Sequence, residues 1–181
     1  MKEIQSIINQ YIENGNFPGV EWKIQYKENI IQGKSGYLNL TDNIPIKTNS
    51  IYRIWSMTKP IISIIILQLV EEGKVQFTDP LNLFLPEFNN LKVLKKEDSF
   101  IDDVIELERI PTIKDLLLHT AGFSYNFLDD PVGKIYEKKK LFHSSYTTLE
   151  EEIKILSSCP LLFEPSKRWN YSVSIDNQGR E

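Results

Sequence analysis

A chain of 181 residues, 41% hydrophobic and 25% charged, is long enough to bury a core and has the composition of an ordinary globular domain. Its formal charge of -4, with no basic cluster beyond Lys138-Lys139-Lys140, leaves no electrostatic footprint for nucleic acid. One cysteine, Cys159, excludes an internal disulfide framework, and with only two histidines a Cys/His zinc site is not expected.

The first eight residues lack the apolar core and small-residue cleavage site of a signal peptide, so the expected location is cytoplasmic. Ile4, Ile7, Ile8, Tyr11 and Ile12 recur at helical spacing, and Gly15 ends that amphipathic pattern. Residues 20–26 then alternate apolar and polar, which predicts a strand with one face on a core. Glu28-Asn29 reads as the turn into a second strand over residues 30–37, completing a hairpin. Residues 41–45 read as a polar loop, and residues 50–54 as a short strand leading to Ser56.

The organising stretch is 52–73. Ser56 and Lys59 stand three positions apart at the start of an apolar helix, a spacing that puts both side chains on one face. A serine hydroxyl is a poor nucleophile until a neighbour takes its proton, and a desolvated lysine can do that. The same short pattern also fits a helix cap followed by a solvated lysine. Ile61, Ile62, Ile64, Ile65, Ile66, Leu67, Leu69 and Val70 follow, predicting a buried helix too short and too flanked by charge to span a membrane. Burial would hold Ser56 at the positive helix end, where backbone N–H groups can stabilise an oxyanion. Pro60 suits a first helical turn, and Gly73 suits the residue just past a helix end.

Beyond it, Asp79-Pro80-Leu81 opens a turn or short helix ending in Leu85-Pro86-Glu87-Phe88, residues 91–94 read as a small strand, and 98–108 as an acidic surface excursion. Thr112 caps a helix with Asp115 three positions on, closed by Gly122. Residues 124–147 read as a long loop with a helical piece near 132–139, and Thr148 caps a last helix over 149–158. An extended segment then leads to Trp169-Asn170-Tyr171-Ser172-Val173.

Four of these pieces, in this order, resemble the serine beta-lactamase-like family, which holds class C beta-lactamases, DD-peptidases and related carboxylesterases. They are Ser56-Met57-Thr58-Lys59-Pro60, Leu85-Pro86-Glu87-Phe88, the run from Thr112 through His119-Thr120-Ala121-Gly122, and Trp169-Asn170-Tyr171-Ser172-Val173. The resemblance runs from Phe17-Pro18-Gly19 onward. It implies an α/β (α+β) fold of the beta-lactamase/transpeptidase type, an antiparallel sheet flanked by a helical subdomain, incomplete at its C-terminus. One domain is expected over 1–181, with a helix-and-sheet portion at 1–55 and a mainly helical portion at 56–175. The resemblance also implies Ser56 as the acylated nucleophile, Lys59 as its activating partner and Tyr171 as the phenol that shuttles a proton. The implied substrate is a small-molecule ester or amide, with no metal or organic cofactor.

His119 reads as a packing and turn element, and Trp55 as a residue that packs or lines a pocket wall. Two departures matter. Val173 replaces the asparagine of the family's Tyr-x-Asn motif, which tilts the substrate from beta-lactams toward carboxylic esters. Ser166 stands where the family has glycine, a cost if that position needs a positive φ. The relatives also continue past residue 181 through a third active-site motif and further strands, absent from this sequence. Acting alone, the chain is therefore expected to be weak or inactive, with a separate chain as one source of the missing strands. A non-catalytic remnant or binding module on the same scaffold is the alternative.

Overall fold

A computed structural model describes residues 2–142 and 147–175. Residues 143–146 of the expected long loop, and 176–181 at the end of the sequence, lie outside the described residues. The chain divides into two compact units, Met1–Ile54 and Trp55–Glu181.

The first unit is a helix on a three-stranded antiparallel sheet. Helix α1 (Lys2–Glu13) ends where Gly15 takes φ +72°, as its spacing predicts. Strand β1 (Gly19–Tyr26) pairs with β2 (Asn29–Asn39) in a register running from Gly19 opposite Gly36 to Tyr26 opposite Asn29. The turn sits one residue earlier than the sequence suggests, at Lys27-Glu28, with Lys27 at φ +53°. The expected polar loop contributes a two-residue strand, β3 (Ile44–Pro45), to the free edge of β2. The Gln5 side chain ties α1 to the sheet, accepting from Trp22 Nε1 at 3.2 Å and donating to the Lys34 carbonyl at 3.3 Å. The close approach leaves no room at Gly33, where a Cβ would lie 2.6 Å from Trp22 Nε1. No residue of β1 is fully buried, so the expected core-facing strand carries a half-buried face. Residues 51–54 are irregular rather than the short strand expected, because no strand pairs with them.

The second unit begins with a 3-10 turn, Trp55–Met57, that runs into helix α2 (Thr58–Glu71). Gly73 takes φ +70° and its N–H bonds the Val70 carbonyl, the predicted terminator. The expected burial of this helix is only partial. Lys59 and Ile66 are its buried residues, while Ile61, Ile64, Ile65 and Leu67 are 44–57% exposed. An all-round apolar sequence states what a helix can bury, and packing decides how much of it is covered.

A small antiparallel pair, β4 (Lys92–Leu94) with β5 (Val104–Glu106), follows two 3-10 turns. The presumed surface excursion therefore returns as a strand. Leu161 adds to β4 as a bridging extended residue, its N–H bonding the Lys92 carbonyl at 2.8 Å. Helices α3 (Ile113–Leu117), α4 (Pro131–Lys138) and α5 (Leu149–Ser157) follow among the described residues. Thr112 and Thr148 close capping boxes with Asp115 and Glu151. Leu81, Phe88, Ile113, Leu116, Phe123, Ile153 and Leu156 form the centre of its core, each without solvent exposure. Phe88 and Phe123 meet edge to face at 5.8 Å. Burying each such side chain stabilises the fold by roughly 1.5–3 kcal/mol before conformational entropy is subtracted.

Candidate active site

Ser56 lies in the 3-10 turn that feeds α2, and Lys59 is the second residue of the helix. Trp55, directly before the serine, takes φ +48°, a conformation rare for a bulky residue and frequent at functional sites. It is 75% exposed and, with Ser56, lines a pocket of about 560 Å³ whose other walls include Lys59, Tyr125, Phe127 and Phe142. The expected wall role of Trp55 thus has a place.

Lys59 is 7% exposed. A buried ammonium needs compensation. Here Nζ donates to the Tyr125 hydroxyl at 2.6 Å and lies 5.2 Å from the Tyr125 ring centroid and 5.5 Å from that of Tyr171. The structure therefore gathers Lys59, Tyr125 and Tyr171, with Ser56 on the same pocket as the first two. The two tyrosine rings are 5.5 Å apart, and Phe127 stacks on Tyr125 at 4.8 Å. Tyr125 escapes sequence reasoning. Its one signal is a phenol three residues after the His-Thr-Ala-Gly turn, inside what reads as a polar loop.

The main chain explains how these rings converge. Residues 122–124 run between two extended segments. Leu162 N–H bonds the Gly122 carbonyl at 2.7 Å, the Asn170 side chain donates to the Phe123 carbonyl at 3.0 Å, and Val173 N–H reaches the Ser124 carbonyl at 3.3 Å. Val173 is fully buried in the core, so its substitution for an amide leaves an apolar packing contact.

Behind the rings, Asp115 anchors the turn that carries His119. One carboxylate oxygen accepts from Arg109 Nη2 (3.1 Å), Thr120 Oγ1 (3.1 Å) and Ser166 Oγ (2.6 Å). The other accepts from Arg109 Nη1 (2.7 Å), Thr112 N–H (2.9 Å) and Thr112 Oγ1 (2.8 Å). Burial alone would raise its pKa, but the bonds from Arg109, Ser166 and Thr112 outweigh that and hold the carboxyl well below the usual carboxylate range. Ser166 takes φ +68°, the left-handed conformation that makes glycine the easier residue here, and its hydroxyl supplies one of those bonds.

The family model described as Beta-lactamase matches residues 4–176. The chain belongs to the beta-lactamase family. Among curated members, Protein Rv1367c of Mycobacterium tuberculosis (strain ATCC 25618 / H37Rv) is 29% identical over 177 residues, covering 97% of this chain and 43% of its own. Esterase EstB of Burkholderia gladioli is 30% identical over 138 residues, covering 75% of this chain and 32% of its own. The solved structure of "EstCE1, a hydrolase with promiscuous acyltransferase activity" superposes with a TM-score of 0.79 at 26% identity, covering 98% of this chain and 45% of that one. The mixed helical and antiparallel-sheet fold expected from sequence is thus the family's fold. The chain spans less than half the length of these family members. Among the described residues no helix is long and apolar enough to cross a membrane.

Proposed function

We propose that this chain carries the nucleophile-bearing part of a serine hydrolase that cleaves a small-molecule ester or amide through an acyl-enzyme on Ser56. The observation that carries the reading is the buried Lys59 ammonium held between two phenols on the pocket that Ser56 lines. In the reaction, Ser56 Oγ attacks the substrate carbonyl while its proton passes to Tyr171 Oη, unprotonated in the reacting state with the Lys59 ammonium beside its ring as the activating partner. The C–O or C–N bond breaks, and the leaving group takes that proton. Water then attacks the acyl carbon, gives a proton to the same base, and frees the acid as Ser56 regains its hydrogen. Tyr171 is the proton carrier in this scheme, and Tyr125 restrains Lys59. No metal or organic cofactor takes part.

A carboxylic ester is the preferred substrate over a beta-lactam. The burial of Val173 supports that preference, and so does the likeness to the esterase EstB and the hydrolase EstCE1. The 181 residues acting alone are proposed to be weak or inactive. Ser56 and Trp55 are exposed, and an oxyanion site gains most of its strength from excluding water. A further chain segment, in the same or a separate polypeptide, would close the site. A cytoplasmic location belongs to the same reading. The exposed serine also favours the alternative, a binding module on this scaffold. Ser56→Ala separates the two, because a binding module keeps its ligand affinity and an enzyme loses turnover. On a version extended through the missing strands, p-nitrophenyl butyrate hydrolysed faster than nitrocefin supports the esterase reading, and the reverse order overturns it.

A further inference from the structure

We infer that His119 is a positioning residue that holds Tyr171 against Lys59, an inference that rests on Tyr171 carrying the proton. The Ser172 backbone N–H donates to His119 Nδ1 at 3.2 Å. An amide N–H can only donate, so Nδ1 carries the lone pair and the ring is neutral with its proton on Nε2. On the other side of Tyr171, Asn170 N–H donates to the His119 carbonyl at 2.9 Å. The imidazole lies 4.8 Å from the Tyr171 ring and 6.5 Å, edge on, from Trp169. One residue thus grips the chain immediately before and after Tyr171 and packs on the ring between.

The grip is preorganised. His119 takes φ +56°, which turns its side chain back toward residues 169–172, and it is 9% exposed. Its turn is pinned in turn by Thr120, whose N–H bonds the Asp115 carbonyl at 2.8 Å and whose hydroxyl bonds the Asp115 carboxylate. The Ser172 hydroxyl, 3.4 Å from Nδ1, also bonds the Ser174 hydroxyl at 2.6 Å, so the acceptor nitrogen sits at the head of a buried polar chain. A ring that must meet an ammonium 5.5 Å from its centroid gains from such fixing, since small displacements of a catalytic group are costly in rate.

Two substitutions isolate the effect. Asparagine and glycine both tolerate a positive φ, but only asparagine offers an acceptor near the Nδ1 position. In the purified chain, ¹⁵N-histidine NMR should show His119 as the Nε2–H tautomer. In His119→Gly, the Tyr171 ring resonances should move and the Ser172 amide should exchange with solvent about tenfold faster, the loss of roughly one hydrogen bond. His119→Asn, which offers an acceptor but no ring, should restore the Ser172 amide exchange toward the native value. A merely structural role would lower urea stability equally in both variants and shift core resonances around Phe88 and Leu116 as well. Tyr171 resonances unmoved in His119→Gly, or a protonated Nδ1 in the native chain, would overturn the inference. Failure of the underlying reading looks different: Ser56 in Tyr171→Phe would react with a fluorophosphonate at the native rate, while the His119 measurements stayed as expected.

Discussion

Replacing Asp115 with alanine removes six hydrogen bonds from one carboxylate, and their environments set the expected loss. The Arg109 side chain is 41% exposed and regains water, so its pair contributes only about 1 kcal/mol. Losing the acceptor for Thr112 N–H undoes half of a capping box, costing about 1 kcal/mol. The Thr120 and Ser166 hydroxyls lose acceptors beside a buried site, at about 0.5–1 kcal/mol each. The variant should be destabilised by about 3 kcal/mol. In urea melts followed by circular dichroism, with a slope of about 2 kcal/mol/M, the midpoint should fall by about 1.5 M. A fall under about 0.5 M, with an unchanged slope, would refute the view that this carboxylate holds the helix cap and the 164–169 loop together.

The same group sets an acid limit. Its folded pKa is depressed, so the unfolded chain takes up the proton first, near the ordinary value of about 4. The contribution of Asp115 is therefore fully present above about pH 5 and is lost as pH falls toward the folded value. Native and Asp115→Asn stabilities, measured by urea melts from pH 7 downward, should begin to converge near about pH 4 and go on converging as the pH falls further. Ser166→Gly should be more stable than Ser166→Ala by about 1 kcal/mol, because alanine keeps the positive-φ strain without the hydroxyl; equal stabilities would remove the argument from φ +68°. Tyr136→Phe should be neutral or stabilising by up to about 1 kcal/mol. The Tyr136 hydroxyl is fully buried and has no hydrogen-bond partner of good geometry among the described residues, and burial pushes its pKa well up against a weaker lowering by the Ser124 backbone. A clear loss of thermal stability would mean that the hydroxyl has a partner.

What could be read from sequence was what near neighbours decide. Thr112 with Asp115, Thr148 with Glu151, and Gly73 past α2 each settle a helix end within a few residues. The glycine-like position of Ser166 was legible only through the family resemblance, which places a glycine there. Tyr125 was not, because its importance arises from Lys59, 66 positions away, and no local pattern encodes that contact. Strand β5 was hidden by its acidic surroundings and by pairing with only three residues of β4. The exposure of Ile61 and Ile64 was equally illegible, since an apolar helix pattern does not say which faces find partners.

The central claim is that Ser56 is the nucleophile of a site these 181 residues leave incomplete. It is tested most directly by exposing the purified chain and its Ser56→Ala variant to a fluorophosphonate and mapping the adduct by mass spectrometry. Slow, substoichiometric modification confined to Ser56 and absent from the variant is the predicted result. Rapid stoichiometric labelling of Ser56 would contradict the incompleteness, and an adduct that persists in Ser56→Ala would contradict the nucleophile.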